Sequence, residues 1–68
     1  MKAVIQVLKG DGNLEVEASN LEGAEIFGNW LSKQCDYVIV VYPLSADGVV
    51  GDMHCNYFKG QRDLVRGN

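Results

Sequence analysis

The sequence predicts an α+β fold: a four-stranded antiparallel sheet in the order 2-1-3-4, with one helix packed on one face (β-β-α-β-β). Three observations lead there. Residues 2–9 and 14–18 have strand-like patterns on either side of a glycine-rich turn. A helix-start pattern opens at Ser19, and apolar residues at helical spacing follow it. Residues 36–44 and 49–58 then repeat the strand, turn, strand arrangement.

Each element follows from its residues. KAVIQVLK, residues 2–9, reads as the first strand. Gly10-Asp11-Gly12-Asn13 tolerates positive φ and turns the chain. In LEVEA, residues 14–18, Leu14, Val16 and Ala18 share one face, and Glu15 and Glu17 share the other. Ser19-Asn20-Leu21-Glu22 fits a capping box in which Ser19 and Glu22 satisfy each other's backbone N–H. The helix runs to Gln34 or Cys35. Its apolar stripe is Leu21, Ala24, Phe27, Gly28, Leu31 and Cys35, with Glu22, Glu25, Asn29, Ser32 and Lys33 opposite. DYVIVVYPL, residues 36–44, is β-branched and aromatic, and Pro43 belongs near its end or at an unpaired position. Ala46-Asp47-Gly48 turns the chain into VVGDMHCNYF, residues 49–58. The polar tail from Lys59 to Asn68 has room for a short helical turn.

The sheet order follows from composition. Strands one and three are apolar on both faces, as central strands can be, whereas strands two and four carry charge on one face, as edges do. Sixty-eight residues make a single domain, 1–68. A net charge of −3 and scattered basic residues argue against direct nucleic-acid binding. No apolar run approaches the ~18 residues of a membrane span. The first residues lack a signal-type apolar core, so the expected compartment is the cytoplasm, with reduced thiols.

One helix covers one face of such a sheet. The covered face is expected to hold Ala3, Ile5, Val7, Leu14, Val16, Ile39, Val41, Met53 and Cys55. The open face then carries an apolar centre, Val38, Val40 and Tyr42 with Val4 and Leu8, rimmed by Gln6, Glu15, Glu17, Asp52 and His54. An exposed apolar centre with a polar rim marks an interface, unless tail residues such as Leu64 and Val65 fold over it. Ile26 and Trp30, an i,i+4 pair at the margin of the helix stripe, form a second candidate surface, with core-edge packing as the plain alternative.

No catalytic constellation emerges, and no cofactor or metal is expected. His54 and Cys55 are neighbours in a strand, so alternation points them to opposite faces and argues against a dyad. With Cys35 they would make three metal ligands only in a distorted strand, and no paired-ligand spacing is present. Cys35 and Cys55 read as reduced core thiols, with a disulfide left open. His54 and Asp52, on one strand face, form an ion pair or a solvated edge.

The hairpin followed by E-A-S-N-L-E-G-A-E, residues 17–25, and then by a second hairpin resembles the small β-β-α-β-β inhibitor proteins encoded by bacteriophages. The likeness covers nearly the whole chain for anti-CRISPR proteins that bind CRISPR effector complexes. It covers residues 2–44 for a phage inhibitor of host RNA polymerase, which carries arginines on its third strand where this chain has Tyr37, Val38, Val40 and Tyr42. The resemblance implies a non-enzymatic inhibitor that occupies the surface of a host protein or complex. The alternative expectation is a homodimeric structural or ligand-binding domain joined through its open sheet face.

Overall fold

The computed structural model describes residues 1–63. β1 (Lys2–Leu8) and β2 (Asn13–Ala18) form a hairpin, and α1 (Leu21–Gln34) follows. β3 (Val38–Leu44), β4 (Cys55–Phe58) and β5 (Gln61–Arg62) complete an antiparallel sheet in the order β2-β1-β3-β4-β5. The predicted 2-1-3-4 order holds, and a fifth strand extends it. The expected helical turn after Lys59 is instead a hairpin as far as the described residues reach. Lys59 (φ 52°) and Gly60 (φ 84°) both take positive φ, the requirement of a two-residue type I′ turn. Leu64 and Val65, as a cover for the open face, lie outside the described residues.

β1 and β3 pair along their full length, with Ile5 opposite Val41 and Gln6 opposite Val40, while β2 flanks β1 with Val16 opposite Ile5. The core is Ala3, Ile5, Val7, Ile39, Val41, Cys55 and Tyr57 from the sheet, closed by Ala24 from the helix. Burying each isoleucine contributes about 1.5–3 kcal/mol.

Helix capping differs from expectation by one residue. Asn20, not Ser19, is the N-cap: its side-chain oxygen accepts from the Gly23 backbone N–H at 2.6 Å. Asparagine caps as well as serine does, and a Cβ on Gly23 would sit 3.0 Å from the capping oxygen.

The helix is also rolled about its axis relative to the predicted stripe. Its buried residues are Ala24, Gly28 and Ser32, while Phe27, placed in the stripe, is exposed. Gly28 explains the approach: a Cβ there would meet the Tyr57 ring at 3.3 Å and Val41 Cγ2 at 3.4 Å. Ser32 is wholly buried because its hydroxyl donates to the Asn29 carbonyl (2.7 Å) and accepts from the Gly60 N–H (2.9 Å). The helix is thus tied to the β4–β5 turn and leans away from β2. Leu14 and Val16, assigned to the covered face, are therefore exposed; Met53, also assigned there, is exposed because it lies in the segment before β4, outside the ladder.

β4 begins at Cys55 rather than Val49. Val50 makes only an isolated bridge to Leu44, and the ladder resumes with Cys55 opposite Val41. Residues 51–55 thus span the stretch that residues 41–43 occupy on β3, so the intervening chain bows outward. The break coincides with Pro43, which has no N–H to give that side of the ladder, although its carbonyl accepts from Gly51 at 2.9 Å.

Candidate functional site

The two flanks of α1 face different surroundings. On the flank toward β4 and β5 the bulge changes the expected placement of His54. Alternation would send His54 and Cys55 to opposite faces, but His54 lies outside the regular strand, and its backbone N–H bonds the Val41 carbonyl at 2.8 Å. Its ring turns to the helix and meets Glu25 Oε2 at 2.5 Å. The ligand-type atoms of Glu25, His54 and Cys55 all lie within 4.8 Å of one another. The predicted separation of His54 from Cys55 is therefore overturned, and the partner of His54 is Glu25 rather than Asp52.

Charge pairs surround this cluster. Arg62 reaches Glu25 (3.4 Å) and Asp63 (3.1 Å), and its guanidinium lies over the Tyr57 ring, 5.9 Å from the centroid. The His54 contact, with Arg62 behind it, holds the Glu25 carboxyl below its usual range. An ionised carboxylate only accepts, so the imidazole nitrogen facing it carries the proton. Burial pushes the Cys55 thiol up, and burial together with the Cys55 contact pushes the Tyr57 hydroxyl up to about 12. Cys55 has no exposed surface, so no substrate can reach its sulfur. The cluster lacks the accessible, acidified thiol that nucleophilic catalysis needs. Both cysteines are free thiols, and Cys35 Sγ points to the Leu31 carbonyl at 3.5 Å.

The opposite flank is apolar. Leaning toward β4 leaves a groove of about 360 Å³ between α1 and the inner face of β2. Leu14, Val16, Phe27, Leu31 and Tyr37 line it, with Lys9 at one end. Trp30 continues the surface, its ring stacked on Phe27 at 5.8 Å between centroids. Leu14 is 55% and Trp30 54% exposed, and Ile26 projects further still. β2 is an edge strand, so one side of its backbone has no ladder partner among the described residues. Its outer face carries Glu15 and Glu17, both exposed.

The open sheet face has a different character from the one expected. Val40 is buried, 6% exposed, between its register neighbours Gln6 and Asn56, while Val38 stays exposed at the sheet end. The Tyr42 hydroxyl, half-buried, donates to Gln6 Oε1 (3.3 Å), and Gln6 Nε2 donates to Glu15 Oε2 (3.2 Å). A polar relay thus crosses three strands from Tyr42 to the expected rim residues Gln6 and Glu15, beside the exposed apolar pair Leu8 and Val38. Asp52 is exposed on the bulged segment. Of the predicted interface residues, Trp30 adjoins the groove through Phe27, Ile26 is exposed beside it on the helix, and His54 belongs to the polar cluster. The groove itself escaped the sequence reading, although Leu14 and Val16 on a charged edge strand were a signal for it.

Among the described residues no helix is long and apolar enough to cross a membrane. Comparison with known proteins finds no matching family model, no matching curated protein and no matching solved structure.

Proposed function

We propose that the chain is a non-enzymatic protein-binding module that takes an extended partner segment along β2 and into the groove beside α1. The observation that carries this reading is the coincidence of a strand edge without a ladder partner among the described residues with an apolar groove on the same strand. Backbone pairing to an edge supplies affinity, and pockets for alternate side chains supply selectivity. Every second side chain of the added strand would face Leu14, Val16 and Phe27, and the intervening ones would face Glu15 and Glu17. The fitting segment therefore alternates apolar with basic residues.

The same glutamates weigh against a homodimer through β2. Any antiparallel self-pairing centred on residues 15–17 sets glutamate opposite glutamate, which destabilises a sheet. The phage-inhibitor resemblance gives the reading a setting, a host protein or CRISPR effector complex blocked by occupancy. No feature of the site favours RNA polymerase over other partners.

A selection from a displayed random-peptide library tests the proposal. Enriched peptides should alternate basic with apolar residues and lose binding to Leu14→Asp, whose fold is checked by circular dichroism. Failure to enrich any motif, or a motif that binds Leu14→Asp equally, contradicts it.

A further inference from the structure

We infer that Glu25, His54 and Cys55 form a binding site for one divalent transition-metal ion of the zinc type. The three residues offer a carboxylate oxygen, an imidazole nitrogen and a sulfur within 4.8 Å of one another. That mixed donor set suits zinc or cobalt(II) and does not suit magnesium or calcium, which take oxygen ligands. Separate elements supply it, one ligand from α1 and two from the bulge before and at the start of β4. The bulge is what makes the set possible, because regular alternation would aim His54 away from Cys55.

The spacing requires only small movements. A tetrahedral zinc ion lies about 2.0–2.3 Å from its donors, which sets donor–donor separations of about 3.3–3.8 Å. Glu25 and His54, at 2.5 Å, must part by about 1 Å on that geometry, and the two pairs with Cys55, within 4.8 Å, need adjustments on the order of 1 Å. Both side chains are partly exposed and free to shift, while Cys55 is fixed in the core beneath them. Thiolate and carboxylate together neutralise the dication. Arg62 gives up its 3.4 Å contact to Glu25 and keeps Asp63 at 3.1 Å. On binding, the Cys55 thiol loses its proton to water, and the single proton of the His54 ring moves through solvent from Nε2, which faces Glu25, to Nδ1, so that Nε2 presents its lone pair to the metal. A closed sulfur, useless to a substrate, is well placed as a ligand from below.

Cobalt(II) titration of the reduced full chain tests the site by absorption. The expected result is a thiolate-to-cobalt charge-transfer band that saturates at one equivalent, is displaced by zinc and is unchanged in Cys35→Ser. The band disappears in Cys55→Ser. Cobalt affinity falls at least about tenfold in His54→Ala and in Glu25→Gln, both surface changes expected to keep the fold. If Cys55→Ser does not fold, those two variants decide. No sulfur band in the parent, or an unchanged titration in both surface variants, overturns the proposal and leaves the cluster as an ion-pair network.

Discussion

The two flanks of α1 differ in how their side chains are satisfied. Toward β4 and β5 every contact is specific: Ser32 to Gly60, Glu25 to His54 and Arg62, and Gly28 against the Tyr57 ring. Toward β2 the helix presents Phe27 and Leu31 across the groove, with Trp30 stacked on Phe27, while Ile26 faces solvent. A fourteen-residue helix cannot cover the full width of the sheet, so polar ties on one side decide which edge is left open. The lesson is that the apolar surface arises from tight docking elsewhere. The helix stays off β2 because Ser32 and Gly28 fix it over β3 and β4.

Changes on the docked flank should have the largest effects. Gly28→Leu places a side chain where even a Cβ meets Tyr57 and Val41, so overpacking should cost about 3 kcal/mol in urea unfolding. A stability within error of the parent would mean that the helix is not held so closely. Ser32→Ala leaves the Gly60 N–H without its acceptor and should cost about 1–2 kcal/mol. It should also speed hydrogen exchange at Gly60, a local readout that a general loss of stability would not single out.

Trp30→Ala on the open flank should change stability by less than about 0.5 kcal/mol, since half of the ring already faces solvent. The same change should weaken a selected peptide strongly. A large loss of stability instead would place Trp30 in the core. The smallest effect belongs to Asp36, whose bond from Lys59 ties the end of α1 to the β4–β5 turn and holds its carboxyl below the usual aspartate range. A depressed folded value means that its stabilisation is present above the ordinary aspartate pKa and is lost as pH falls through the folded value. Thermal midpoints of Asp36→Asn and the parent should therefore differ slightly at pH 6 and converge toward pH 2. Divergence on acidification would reverse the sign.

The parts of the fold legible in the sequence were those set by local pattern. Period-two alternation in residues 2–8 and 14–18, helical spacing after residue 20 and the β-branched run at 38–44 each identify an element. Charge on Glu15 and Glu17 marks β2 as an edge. What escaped depends on distant partners. Ser32 looks like a solvent-facing helix residue until Gly60, far along the chain, arrives to donate to it. β5 is two residues long and carries no alternation; only the positive-φ pair Lys59-Gly60 announces it. The bulge that unites His54 with Cys55 is linked to the missing N–H of Pro43 on the neighbouring strand, a consequence that appears only once the two are paired. The candidate interface moved for the same reason: once the helix rolls toward β4, the exposed apolar surface lies on its other side.

The most direct measurement is amide chemical-shift mapping of the 15N-labelled chain during titration with a peptide from the library selection. Binding as an added strand predicts the largest changes at residues 13–18, with a second group at residues 27–37 and the Trp30 indole. Changes centred on Val38, Val40 and Tyr42, with β2 unaffected, would contradict the account and return the interface to the open face of the sheet.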